Sequence, residues 1–168
     1  MTGYDGKELL DRFVAIEKEA IAVLTPSAPP CDAFPRWFAA SERFPYWTNA
    51  LASQPKDYGA DAFSDEGATY PVVVWAKLVI GHVTTGLRGE VDERFLTWLP
   101  QLVEYFEARK WLQSAAFDVP MDYLEAADYL DARFVPKGPP APSGADTVCI
   151  EFQFQCRFKV TVAQAYLG

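Results

Sequence analysis

From residue 148 to residue 162 the chain alternates without a break. Val148, Ile150, Phe152, Phe154, Cys156, Phe158, Val160 and Val162 are apolar, and Cys149, Glu151, Gln153, Gln155, Arg157, Lys159 and Thr161 lie between them. A sustained period of two predicts a strand with one face in a core and one in water. At ~3.3 Å per residue it would be roughly 50 Å long, beyond the usual strand. A strand of that length predicts an edge that reaches past its own domain. The helical period appears at the other end of the chain. Leu9, Phe13, Ile16, Ala20 and Val23 form one stripe over Asp5 to Leu24, opposite Lys7, Asp11 and Lys18. Thr25-Pro26 ends it, because proline disfavours helix in the residue before it.

Between these ends the pattern is mixed. Tyr70 to Thr84 is rich in β-branched residues and apolar on both faces, which predicts a central strand. Glu90 to Leu112 has a stripe of Phe95, Leu99, Leu102 and Phe106, interrupted by Pro100. That proline predicts a kink or the start of a second short helix. Residues 113–127 are ambiguous, with a short helix expected around Met121 to Ala126. Tyr129 to Val135 is expected to be a short strand with Leu130, Ala132 and Phe134 on one face. Pro136 to Gly144 has the composition of an exposed loop. The expected fold is α+β over residues 1–168: a mostly antiparallel sheet with a long C-terminal strand, packed against two main helices.

Thr25 to Ala68 has no period. It holds Pro26, Pro29, Pro30, Pro35, Pro45 and Pro55 together with Phe34, Trp37, Phe38, Phe44, Tyr46, Trp47, Tyr58 and Phe63. Two readings stand side by side. The segment is an irregular cover folded over the core by its own aromatics, or it is an arm that packs on a neighbouring subunit, as aromatic enrichment at interface cores implies. On the second reading Trp37, Phe44 and Trp47 are interface residues.

Composition narrows the function classes. In 168 residues, half are apolar and 15% aromatic, too apolar for disorder. A net charge of −8, with dispersed basic residues, argues against binding along nucleic acid or on anionic membranes. The most apolar run, Pro71 to Ala76, falls far short of the ~20 residues of a membrane helix. The N-terminal residues lack a signal-peptide core, so the chain is expected to stay where it is made. Three cysteines, Cys31, Cys149 and Cys156, do not read as a disulfide framework. Cys149 and Cys156 fall on opposite faces of one predicted strand and cannot bond within it.

Candidate chemistry is sparse. His82 is the one histidine, and a Cys–His pair with Cys31 would have to form across the fold. No zinc-ligand spacing occurs, and neither cofactor nor metal is expected. Thr84 to Gly89 sits between a strand and a helix, where anions bind, but lacks the phosphate-loop pattern. Asp57, Asp61, Asp65 and Glu66 make an acidic loop without calcium-loop spacing. The aromatics from Phe34 to Trp47 suit sugar stacking as well as packing.

The order of elements carries a resemblance. An amphipathic helix and an irregular stretch precede a strand, which leads through Thr84-Thr85-Gly86-Leu87 into a helix with Trp98-Leu99-Pro100 and Tyr105-Phe106. A proline-glycine loop then precedes the alternating strand from Ile150 to Val162. Over the first helix and Tyr70 to Val162 this resembles the tail terminator and tail-completion proteins of long-tailed bacteriophages. The resemblance implies a structural virion protein without enzyme activity. It implies a ring, hexameric in that family, which caps the tail tube and joins it to the neck. Such a protein resides in the host cytoplasm during assembly and then in the virion tail. The polar row Gln153, Gln155, Arg157 and Lys159 is then expected to line a wet lumen, meet adjoining tail proteins, or form plain outer surface. Another neck or connector protein, a small Cys- or His-dependent enzyme and a sugar-binding module are the alternatives.

Overall fold

A computed structural model describes residues 5–37, 39–52, 68–83, 88–117, 121 and 124–160. Helix α1 spans Gly6–Ala22 and α2 spans Arg88–Glu107; the strands are β1 Asp32–Phe34, β2 Tyr46–Ala52, β3 Ala68–His82, β4 Leu124–Val135 and β5 Thr147–Val160. The strands form one sheet in the order β1-β2-β3-β5-β4. Only β1 and β2 run parallel; the other neighbours are antiparallel. The fold is α+β, a mostly antiparallel sheet packed against two helices.

Local chemistry explains the helix ends. Asp5 caps α1: its Oδ1 accepts from the Lys7 and Glu8 amides at 2.8 and 3.4 Å, satisfying donors that a first turn leaves open. The predicted stripe is buried from Leu9 to Ala20, but the helix stops at Ala22, so Val23 leaves the stripe and is 60% exposed. α2 runs through Pro100 as one helix, so the proline does not start a second one. It lies on the exposed side of the helix, as does Leu96, whose carbonyl loses its donor.

Two layers enclose the main core. β3 turns Val72, Val74, Ala76, Leu78 and Ile80 to the helices, and β5 turns Ile150, Phe152, Phe154, Cys156 and Phe158 the same way. They meet Leu9, Phe13 and Ile16 of α1 and Trp98, Leu102 and Phe106 of α2. Ring centroids lie 5.0 Å apart for Phe106–Phe154 and 5.1 Å for Phe13–Phe154. Each such side chain contributes about 1.5–3 kcal/mol by leaving water.

Three expectations need correction. The long C-terminal strand exists, but its edge is not open: β5 pairs with β3 on one side and β4 on the other. The sheet edges are β1 and β4. The helix expected around Met121 to Ala126 gives way to strand from Leu124, where β4 begins, because pairing with β5 outweighs the helical propensity of Leu-Glu-Ala-Ala. Irregularities between Leu124 and Ala126 and between Tyr129 and Asp131 shift the strand's phase. Tyr129 pairs with Phe154 and Ala132 with Phe152, so both face the core, while Leu130 falls in the bulge and is 47% exposed. The third concerns residues 25–68, which are not irregular throughout, since β1 and β2 lie inside them. β2 escaped notice because Tyr46, Trp47, Thr48 and Asn49 are all buried, leaving no alternation to read.

Candidate functional site

The register of the sheet assembles the site. Thr48 of β2 pairs with Lys77 of β3, Lys77 with Glu151 of β5, and Glu151 with Arg133 of β4. Lateral neighbours share a face, and this row faces away from the helices. Glu151 is 3% exposed and holds two cations: Lys77 Nζ lies 3.1 Å from its Oε2, and Arg133 Nη2 lies 2.5 Å from its Oε1. The Lys77 ammonium also sits 3.6 Å from the Trp37 ring centroid. Arg133 lies over Trp75 at 5.4 Å. Around this row is an open dish of about 570 Å³, walled by Trp37 and Trp75 and continued by Ala50 and Ala52. The residues lining the dish carry two cations and one carboxylate, a local excess of positive charge on a chain of charge −8, and Asp131 stands at its far end beside Trp75 and Arg133.

The rest of the outer face is graded. Toward one end, Tyr46, Val79 and Cys149 form a second apolar cluster under Phe34, Ala40 and Phe44. The Phe44 ring stands 4.8 Å from His82 and 5.7 Å from Tyr46. Toward the other end lie half-buried Gln153 and Gln155, then exposed Arg157, whose guanidinium meets Asp128 at 2.9 Å. Lys159 pairs through its backbone with Thr69, and its side chain lies outside the described residues.

The expected interface residues therefore separate. Trp37 stands on the dish wall, and Phe44 covers the second cluster. Trp47 is fully buried in the main core, its ring 5.9 Å from Phe106 and 5.5 Å from Phe152, and offers no surface to a partner. That corrects its place among interface candidates; β2 turns it inward opposite Leu78. Within the polar row Gln153 and Gln155 are half-buried and Arg157 is exposed, while Cys149 and Glu151, further along the same face, are buried. Sequence reasoning missed Lys77, Glu151, Arg133 and Trp75 as a group. The one signal available was a lysine inside an otherwise apolar strand.

A second polar pair lies on the inner side. Glu17 of α1 and Asn49 of β2 are both fully buried. Asn49 Nδ2 donates to Glu17 Oε2 at 2.9 Å and to the Phe34 carbonyl at 3.1 Å. Glu17 Oε1 and Asn49 Oδ1 have no hydrogen-bond partner among the described residues. Burial pushes the Glu17 carboxyl well above its ordinary range, against the lowering effect of the Asn49 hydrogen bond.

The thiols are poorly suited to nucleophilic work. Burial pushes Cys31 and Cys149 each up to about 12, and Cys156 up as well. A nucleophilic cysteine needs the opposite shift. Cys149 and Cys156 lie in different clusters on opposite faces of β5. His82 closes β3 and packs edge-on against Phe44. Among the described residues no group of three or more His, Cys, Asp or Glu is placed to hold a metal ion, and no helix is long and apolar enough to cross a membrane. The acidic loop at Asp57, Asp61, Asp65 and Glu66 lies outside the described residues, as do residues 84–87 of the anion-loop candidate. No protein-family model matches this chain, and no curated protein matches it in sequence.

Proposed function

We propose that this chain is a structural protein that assembles with copies of itself, a ring-forming tail terminator at the head–tail junction of a long-tailed phage. The observation that supports the reading best is the outer-face dish. Tryptophan and arginine around a largely desolvated charge are the chemistry of a protein–protein hot spot. The order helix, strands, helix, two strands agrees with the resemblance. The thiol shifts weigh against the Cys-dependent enzyme. On this reading the ring is a hexamer that contacts the tail tube and neck proteins, forms in the host cytoplasm and ends in the virion tail. It has no catalytic turnover and no need of nucleic acid, membrane or cofactor. Another neck or connector position would use the same surface.

Imaging of assembled particles tests the proposal. The expected result is density for this chain as a closed ring where the tail meets the head. Its absence from particles, or its presence elsewhere or in an open arrangement, would overturn the reading.

A further inference from the structure

The surface opposite the dish complements it. α2 turns Trp98, Leu102 and Phe106 into the core. At the helical repeat, Glu93, Leu96, Pro100, Glu104 and Glu107 fall together in an arc of roughly 80° on the far side. All five are exposed, and Leu96 is 71% exposed. Among the described residues, none of these three glutamates is in an ion pair. The nearby cations are turned elsewhere: Arg94 donates to the Ile80 carbonyl, Arg109 lies over the Tyr105 ring, and Lys110 faces Asp128 at 3.7 Å. The stripe is thus acidic with an apolar centre, and the dish is cationic with aromatic walls.

We infer that copies of this chain associate front to back, the exposed α2 stripe of one copy seated on the Trp37–Trp75 dish of the next. The inference rests on the assembly reading above and names the two surfaces that carry it. Charge complementarity selects the occupant: Glu104 and Glu107 approach Lys77 and Arg133, and Leu96 meets the indole walls. The helix layer and the dish lie on opposite sides of the sheet, so the contact is heterologous. Heterologous contacts close into rings or grow into filaments, whereas a two-fold contact stops at a dimer. A stable interface buries ~800 Å² per partner, so the dish is its centre rather than its whole.

Native mass spectrometry over a concentration series tests the pairing. The wild-type chain is expected to give species above monomer. Leu96→Glu disables the stripe and Ala50→Glu disables the dish. Each alone is expected to be monomeric at the same concentration while melting close to wild type. Mixed in equal amounts, the two variants are expected to form a heterodimer and stop there, because one intact stripe then faces one intact dish. Where Ala50→Glu fails to fold, Arg133→Ser replaces it, since Lys77 still compensates Glu151. Wild-type assembly by both variants would overturn the surfaces and leave the assembly reading intact. A mixture without heterodimer would overturn the front-to-back pairing. A wild-type chain that stays monomeric to its solubility limit would overturn the inference as well. The expected pattern from a chain missing in particles would support these surfaces while removing the tail assignment.

Discussion

Glu17, between α1 and the inner face of the sheet, and Glu151, on the outer face, are both almost fully buried, at 0% and 3% exposure. They are held in different ways. Glu151 has Lys77 and Arg133 on its two oxygens. Glu17 has one amide donor and no cation, and burial drives it toward the neutral acid. A neutral carboxyl has an O–H to donate, and Asn49 Oδ1 is the nearby acceptor with no donor of its own. The inner face removes a charge; the outer face keeps one and compensates it. Desolvation explains the difference. A cation beside Glu17 would itself need solvation within an aromatic core, whereas the outer row can let Arg133 reach water at 63% side-chain exposure.

Substitutions can break or sharpen this contrast. The largest effect is expected from an uncompensated charge on the inner face. Phe154→Asp removes a ring from the Phe13–Phe106 stack, worth ~3–5 kcal/mol by itself, and buries a carboxylate with no partner. No cooperative thermal transition is expected. Gln153→Asp, one residue away on the outer face, is expected to cost less than about 1 kcal/mol, for its repulsion from Asp131 across the strands. Equal losses in thermal melts would refute a one-sided β5.

Next comes Glu151→Ala. It leaves Lys77, a residue only 8% exposed, with no counter-ion in the row, and breaking a buried pair in this way costs about 3–5 kcal/mol. Urea unfolding reads the loss directly. A change below 1 kcal/mol, on the order of a surface pair, would mean that the row is wet.

Glu17→Gln acts in the opposite direction. The folded-state value of Glu17 is raised above its ordinary 4.5, so its contribution is fully present below that pH. As pH rises the unfolded chain ionises first, and stability falls by up to about 1.4 kcal/mol per pH unit until the raised folded value is passed. Glutamine keeps the shape and the donor without the titration. The variant is expected to match wild type below about pH 4.5 and exceed it at neutral pH, with a flatter curve of melting temperature against pH. A wild-type slope unchanged by the substitution would show that Glu17 is charged when folded.

The smallest effect is expected at Arg157. Its pair with Asp128 joins side chains 47% and 30% exposed, so Arg157→Ala should cost only ~0–1 kcal/mol and less in high salt. A larger, salt-insensitive loss would place this end of the row in a buried environment.

Period, the stop at Thr25-Pro26 and β-branching make α1, β3, α2 and β5 legible from the chain alone, because each has an element-long contrast between a buried and a wetter side or an unbroken apolar run. Tyr129 to Val135, the second half of β4, was legible as a strand, whereas β2 and the first part of β4 were hidden for opposite reasons. β2 is buried through Tyr46-Trp47-Thr48-Asn49 and has no contrast to show. β4 carries two irregularities that reverse its contrast partway along. The candidate site was less legible still. Trp37 was singled out, but Trp47, its twin in composition, is a core residue.

What the sequence determined by itself was therefore the α+β class and the apolar side of α1, α2 and β5. Those properties are local: they depend on which residues stand two, three or four positions apart. Tertiary structure decided that β5 is an interior strand, and it brought Lys77, Glu151 and Arg133 from three strands into one row. It also left Glu17 with Asn49 in place of a cation. Strand order and register join residues dozens of positions apart, and a change of one residue in register would send each of these side chains to the other face.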